Sequence, residues 1–216
     1  MNNSSKTNVQ PKAKEELQYL IEAEIKENGN RCDLNHIDVS LVSEFNFLCF
    51  DSDFNGDISR WDVSGVVGMS SMFEGSSFNG DISKWDVSGV TDMSAMLSNS
   101  GFSGELSGWD VSGVVDMNSM FNRSSFSGDI SRWDVSSVKN MKSMFARSKF
   151  KVDISEWNGC SVIDTECMFL DSAVASDLNI LNPSLEQVKS HFLAKKLETT
   201  LQRAEPKQSK TSKARL

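Results

Sequence analysis

Five tryptophans recur at a fixed spacing of 24 residues, and the chain contains no others. A constant period of this length indicates a repeat architecture. One such repeat is too small to bury its own apolar side chains, so neighbouring repeats must stack on each other. The sequence therefore predicts a stacked repeat array over residues 31–182, built around Trp61, Trp85, Trp109, Trp133 and Trp157.

Other apolar residues keep the same 24-residue register and form columns along the predicted stack. Because the tryptophans share this register, we expect their rings to be buried. The alternative is a row of exposed indoles that stacks against sugars. Three of the apolar columns are Phe54, Phe78, Phe102, Phe126 and Phe150; Ile58, Ile82, Leu106, Ile130 and Ile154; and Met69, Met93, Met117 and Met141.

The spacing within one repeat indicates two short regular elements. Val66, Met69, Met72 and Phe73 recur at three- and four-residue intervals, which predicts a short helix. Ser64 is placed to cap that helix. The preceding segment, Ile-Ser-x-Trp-Asp-Val, is rich in residues that favour β-structure and predicts a brief strand. Strands at the same place in successive repeats would run parallel.

Three stretches of the array carry a family resemblance: FNGDISKWDVSGVTDMSAM, FNGDISRWDVSGVVGMSSMF and FSGDISRWDVSSVKNMKSMF. They resemble the repeat of the BspA-like leucine-rich-repeat surface protein family of bacteria, over about residues 31–181. The resemblance implies an α/β fold, namely a leucine-rich-repeat-like right-handed solenoid. Each 24-residue turn would hold one short parallel strand and one short helix, with helical caps at both ends. It also implies a role in adhesion or protein binding without a shared active site.

The sequence at each end of the array predicts a helix that caps it. An amphipathic pattern over residues 12–30, closed by Gly29, predicts an N-terminal capping helix. A second pattern predicts a C-terminal helix over residues 183–204, where Ser184 and Gln187 have the spacing of a capping box. Residues 1–11 and the basic tail 205–216 are predicted to be disordered.

Charge is unevenly distributed along the chain, whose net charge is −8. Residues 31–182 hold 10 basic against 22 acidic side chains, whereas residues 183–216 hold 8 against 3. The acidic array argues against nucleic acid as the main ligand, because phosphate binding requires a basic surface. We interpret the basic tail as a solvated terminus; contact with phosphate or an anionic surface is the alternative.

The first thirty residues lack the apolar core of a signal peptide, and no apolar run has membrane-spanning length. We therefore expect a cytoplasmic protein, or one exported by a route that needs no signal peptide. Cys32, Cys49, Cys160 and Cys167 show no Cys-x-x-Cys spacing, so reduced thiols are expected. Cys49 falls in the column of Phe73 and should be buried.

Acidic residues form two further columns. If each column stacks at about 4.8 Å per turn, like charges lie close together and require compensation. One hypothesis is a ladder of calcium sites. The favoured one is that each carboxylate accepts hydrogen bonds from backbone N–H groups of its own turn. The columns are Asp57, Asp81, Glu105, Asp129 and Asp153, and Asp62, Asp86, Asp110 and Asp134.

Columns that face solvent should vary between repeats, and two variable sets are candidate contacts for a protein partner. The first set comes just before the tryptophans, and the second follows the predicted helices. The residues are Arg60, Lys84, Arg132 and Glu156 in the first set, and Arg123 and Arg147 in the second.

These observations predict a non-enzymatic protein–protein interaction scaffold without a cofactor. A repeat array places the same residues in every turn and so offers no singular catalytic constellation. The only two histidines, His36 and His191, lie at the ends of the array. The alternatives are an exported cell-surface adhesin and a calcium- or glycan-binding solenoid.

Overall fold

The computed structural model describes residues 9–158 and 162–204. It contains three helices: α1 (Lys14–Asn28), α2 (Ala173–Leu178) and α3 (Leu185–Ala204). Between α1 and α2 the described residues form turns, irregular segments and isolated bridges, with neither a helix nor a β-strand. The repeat region is thus almost entirely irregular in its local backbone.

Successive repeats nevertheless lie in register. Each touches the next at a parallel bridge between residues 24 positions apart, as at Gly68 and Asp92, and the first repeat adds a second bridge from Asp33 to Asp57. These isolated bridges do not amount to a sheet. The same bridge position recurs along the stack as Glu44 to Gly68, Gly68 to Asp92, Asp92 to Asp116, Asp116 to Asn140, and Asn140 to Asp164.

A ladder of backbone hydrogen bonds extends from each bridge. In one repeat Met69 N–H donates to Asp92 O at 2.9 Å, and Ser71 N–H donates to Ser94 O at 2.8 Å. Phe73 and Gly75 continue the pattern with Met96 and Ser98, so alternate amides are bonded to the next repeat. We call these seven-residue stretches ladder segments; they are residues 45–51, 69–75, 93–99, 117–123 and 141–147.

Each ladder segment is a chain of tight turns containing left-handed residues. Met72 N–H donates to Met69 O at 3.2 Å, which closes a four-residue turn whose third residue, Ser71, has φ 53°. Gly75, with φ 70°, occupies the same place in a turn four residues later. A positive φ at the third position is the signature of a type II turn. The equivalent positive-φ residues are Phe47, Asp51, Ala95, Asn99, Ser119, Arg123, Ser143, Arg147, Cys167 and Asp171.

The predicted fold class, a leucine-rich-repeat-like right-handed α/β solenoid with one strand and one helix per turn, is therefore wrong. The left-handed Ser71 prevents an α-helix over Val66–Phe73. In addition, the amides of Met69, Ser71 and Phe73 bond to the next repeat and not to carbonyls four residues earlier, as they would in a helix. The predicted strand is instead a turn in which Trp61 N–H donates to Ile58 O at 3.1 Å. Consecutive turns place apolar side chains inward at three- and four-residue intervals, just as a helix does.

The predicted helix cap at Ser64 is also wrong, since no helix follows it. The Ser64 hydroxyl donates to Asp62 Oδ1 at 2.7 Å, and the Ser64 amide donates to the same atom at 3.1 Å. This serine therefore belongs to a local aspartate turn.

The apolar columns form one continuous core, as predicted. Phe73 packs on Phe78 with ring centroids 4.2 Å apart, and Phe78 stacks on Phe102 in the next repeat at 6.4 Å. Cys49 is also buried, which is expected from its register, and burial raises the pKa of its thiol to about 12.

Burial of the tryptophans is confirmed, because each tryptophan residue is at most 4% exposed. Every indole N–H donates to a backbone carbonyl 27 residues earlier; Trp109 Nε1 reaches Ile82 O at 3.0 Å. Each indole thus joins its own repeat to the preceding one. The row of exposed indoles considered as a sugar platform does not exist in this fold.

The helices close the ends of the core. In α1, Leu17 and Ile21 are buried, and Gly29 ends the helix with φ 83°. In α3, Val188 and Phe192 are buried. The predicted capping box is confirmed, since Ser184 N–H donates to Gln187 Oε1 at 2.8 Å and Gln187 N–H donates to Ser184 Oγ at 3.2 Å.

Helix α2 was not predicted from the sequence. Ser172 caps it by accepting a hydrogen bond from Ala175 N–H at 3.2 Å. The apolar pattern Val174, Leu178 and Leu181 predicts the opening of another repeat, but Leu181 is 71% exposed. The predicted disordered stretches fall largely outside the described residues, with 1–8 at one end and 205–216 at the other.

Substitutions at Trp109 separate the two contributions of the buried indole. Trp109→Ala should lower the free energy of unfolding by about 3–5 kcal/mol, because it leaves a cavity in the stack. Trp109→Phe keeps most of the apolar volume but leaves Ile82 O without its donor, so about 1–3 kcal/mol should be lost. Urea unfolding followed by far-UV circular dichroism measures both. Equal stability of Trp109→Ala and the parent protein would contradict the buried stack.

Candidate functional site on the exposed columns

The eight aspartates of the acidic columns accept hydrogen bonds within their own turns, as the favoured hypothesis predicted. Asp110 Oδ1 accepts from the Ser112 amide at 3.0 Å and from the Ser112 hydroxyl at 2.7 Å. A serine two residues later supplies the bonding amide for each of Asp57, Asp62, Asp81, Asp86, Asp129, Asp134 and Asp153.

These hydrogen bonds stabilise the charged carboxylates. The Ser83 hydroxyl, followed by the Ser83 amide, holds the pKa of Asp81 below its ordinary value. The backbone amide of Ser131 is the largest cause of the lowered pKa of Asp129. Serine side chains likewise lower the pKa values of Asp86, Asp110 and Asp134.

The aspartate columns do not form a recognisable metal site. Within residues 9–158 and 162–204, no three His, Cys, Asp or Glu side chains are grouped so that they could hold a metal ion. Each repeat contributes carboxylates that already accept hydrogen bonds from their own turn.

The first set of predicted partner residues forms a single exposed column. We call Arg60, Lys84, Gly108, Arg132 and Glu156 the cation column. The column runs beside the buried tryptophans, since each member directly precedes one of them. At Gly108 an added Cβ would meet no atom within 4 Å, so the middle of the column is open. The cations lie near the acidic column, and the charges of Lys84 and Arg132 help to lower the pKa values of Asp81 and Asp129.

A charged cleft lies at the C-terminal end of the cation column. It has a volume of about 370 Å³ and is lined by Arg132, Asp153, Glu156 and Lys196 among others. Lys196 projects from α3, and its Nζ lies 2.9 Å from Glu156 Oε1 and 3.7 Å from Asp153 Oδ2. Thus α3 pairs with the last tryptophan repeat and brings Arg132 and Glu156 to one cleft.

The pKa of Asp153 in this cleft is lowered despite burial. Burial by itself raises this pKa, but hydrogen bonds from the Ser155 amide and hydroxyl and the charge of Lys196 outweigh it. The cleft therefore holds charges of both signs, with Lys196 between Asp153 and Glu156. Sequence reasoning missed Lys196, because no 24-residue register relates a position on α3 to the repeats.

The second set of predicted partner residues lies on other columns. Arg123 and Arg147 are equivalent positions in successive repeats. The two repeats are in contact here, since Arg123 N–H donates to Ala146 O, next to Arg147, at 2.9 Å. Both belong to what we call the turn ridge, defined as two columns of the stack. These are Asp51, Gly75, Asn99, Arg123 and Arg147, and Asp53, Ser77, Gly101, Ser125 and Lys149.

The cations of the turn ridge have no ion-pair partner in the part of the chain that the structure describes. Arg123, Arg147 and Lys149 are exposed, and their side chains form no hydrogen bond or ion pair with the described residues. The six predicted contact residues thus fall into two separate surfaces, the cation column and the turn ridge.

The two histidines are found at the end helices: His36 lies against α1, and His191 is part of α3. His36 Nε2 lies 3.2 Å from Glu24 Oε1 on α1, and His191 makes an edge contact with Phe192 on α3. His36 Nδ1 and His191 Nε2 are buried and find no hydrogen-bond partner among the residues that the structure describes.

A family model described as "Mycoplasma protein of unknown function, DUF285" matches residues 18–124 and residues 98–203. The chain belongs to the DUF285 family. The predicted membership of the BspA-like leucine-rich-repeat family is therefore wrong. DUF285 is associated with BspA-like surface proteins, so the coarser expectation of a repeat protein related to surface proteins agrees with the match.

No curated protein and no solved structure matches this DUF285 chain. None of the helices in the described part of the chain is long and apolar enough to cross a membrane.

The acidic columns predict a loss of stability in acid. A carboxyl group with a lowered pKa in the folded state stabilises the fold above the unfolded pKa of about 3.9, and this stability is lost as the pH falls through the folded value. The urea midpoint should therefore fall between neutral pH and pH about 3. Replacing Asp81, Asp86 and Asp110 together by Asn should reduce this dependence on pH. A midpoint that rises in acid would contradict the account.

Proposed function

We propose that this DUF285 protein is a non-enzymatic scaffold that binds a protein partner through the cation column and the adjoining charged cleft. The core provides a rigid support, because every repeat is joined to its neighbours by ladder hydrogen bonds and by an indole. Stacked repeats commonly offer extended surfaces of this kind for protein recognition.

The observation that carries the proposal is the contrast between neighbouring columns. The tryptophan position is constant through five repeats, while the exposed position directly before it changes from Arg60 to Lys84, Gly108, Arg132 and Glu156. The backbone is held in the same register throughout, so these differences give each repeat its own exposed chemistry. A partner could thus be recognised along the stack by its own sequence of charges.

The charge arrangement favours a protein over a polyanion. Arg60, Lys84 and Arg132 form a basic line flanked by the acidic columns, so a uniformly negative ligand would meet repulsion on both sides. A protein surface carrying both signs of charge can match this pattern, and such complementarity sets specificity and register. The cleft with Lys196 closes one end of this surface.

The proposal is tested by reversing the column in the full chain. A variant carrying Arg60→Glu, Lys84→Glu and Arg132→Glu should lose a protein partner that the parent retains from a lysate of the native organism. The matched control carries Arg123→Glu, Arg147→Glu and Lys149→Glu, which changes the same types and number of charges on the turn ridge. Circular dichroism confirms that both variants fold.

Loss of the partner with the column variant alone supports the assignment. Loss with the ridge variant alone would contradict it and move the binding surface to Arg123 and Arg147. A parent protein that retains no partner would contradict the scaffold proposal itself.

An exported adhesin is the second candidate, favoured by the association of DUF285 with surface proteins. It requires an externally accessible pool of the protein. Protease treatment of intact cells should then degrade it while a cytoplasmic marker survives. Full protection until the cells are lysed would contradict this candidate.

A further inference from the structure

The turn ridge reverses its charge along its length. Asp51 and Asp53 begin its two columns, whereas Arg147 and Lys149 end them, with Arg123 one repeat earlier. Apart from Arg123, the ridge between these ends has small or neutral side chains, and all its residues are exposed except the half-buried Gly75. The neutral middle consists of Gly75, Ser77, Asn99, Gly101 and Ser125.

The spacing of these charges is fixed by the backbone ladder. Asp51 N–H donates to Glu74 O at 2.8 Å, Asn99 N–H to Asn122 O at 2.7 Å, and Arg147 N–H to Leu170 O at 2.7 Å. Each of the three donors is a left-handed residue with φ between 49° and 56°. At about 4.8 Å per repeat, Asp51 lies roughly 19 Å from Arg147 along the ridge.

We propose that the turn ridge binds the turn ridge of a second copy of this chain, antiparallel to it. A two-fold axis through Asn99 and Gly101 brings Asp51 opposite Arg147 of the second copy. It also brings Asp53 opposite Lys149 of the second copy, because each residue of either pair lies two repeats from the axis. Symmetry doubles both pairs, and the dimer is closed.

The charge pattern selects this arrangement over the alternatives. A parallel pair would place the acidic end, Asp51 and Asp53, against the acidic end of the second copy and the basic end, Arg147 and Lys149, against its basic end, and like charges in contact oppose association. The uncharged middle of the ridge allows the two backbones to approach. At Gly101 an added Cβ would meet nothing within 4 Å of its own chain, so the space above the axis is free.

The small width of the ridge makes the dimer weak. Two columns over five repeats offer less area than the roughly 800 Å² per partner of a typical stable interface. The affinity therefore depends on the ion pairs, and added salt should weaken it at least about tenfold. The inference does not depend on the proposed function, because the cation column takes no part in the ridge contact.

The first test is a charge exchange followed by sedimentation velocity on the full chain, over a concentration series in low salt. The acid-end variant carries Asp51→Lys and Asp53→Lys, and the base-end variant carries Arg147→Asp and Lys149→Asp. The parent should dimerise, and each variant alone should be monomeric. Their equimolar mixture should dimerise again, because in the mixed dimer two ion pairs keep their native signs and the other two are restored with their signs exchanged.

Several outcomes of this test would overturn the proposal. They are a parent that stays monomeric throughout the series, single variants that dimerise as the parent does, and a mixture that remains monomeric. Salt-insensitive dimerisation of the parent would also overturn it, because the ridge offers too little area without its charges.

A second test avoids large changes of charge. Gly101→Arg places a bulky side chain on the proposed axis and should weaken dimerisation at least about tenfold, since two such side chains would meet there. Gly108→Arg is the matched control, because its site is equally open but lies on the cation column. Equal dimerisation of Gly101→Arg and Gly108→Arg would overturn the proposed axis.

Discussion

The repeat stack of this structure depends on the hydrogen bonds that join one repeat to the next. In each ladder segment alternate amides, such as those of Met69 and Ser71, are bonded to carbonyls in the following repeat. Each such bond contributes only about 1 kcal/mol. Four of them recur at every ladder, together with an indole bond like that of Trp109, and they fix the register in which the core packs.

The period, the core and its end helices could be predicted from the sequence. Buried positions must be apolar whether the backbone there is helical or made of turns, so the apolar pattern is the same in both cases. The local path itself could not be predicted in this way. Turns at Met69–Met72 produce the same inward spacing as a helix, and three of the recurring left-handed positions hold Ser71, Ala95 and Ser119. Glycine, asparagine or aspartate would have indicated such turns, but these residue types occur at only part of the equivalent positions.

The exposed surfaces, like the fold, could be predicted from the sequence only in part. The column order of Arg60, Lys84 and Arg132 can be read from the 24-residue period, and so can the adjacency of Arg123 and Arg147. The pairing of Lys196 with Glu156 cannot, because it depends on how α3 packs against the last repeat. Chain register therefore predicts which residues share a column, while the packing of the end helix determines where a column becomes a cleft.

Replacing Ala95 by glycine tests the irregular repeat most directly. Ala95 has φ 52°, a conformation that costs a residue with a side chain about 1–2 kcal/mol, so Ala95→Gly should leave the free energy of unfolding unchanged or raise it. Ala23→Gly, at an exposed position inside α1, is the control and should lower it by about 1 kcal/mol. A loss of that size at Ala95 as well would indicate a helix in each repeat and contradict the stack of turns.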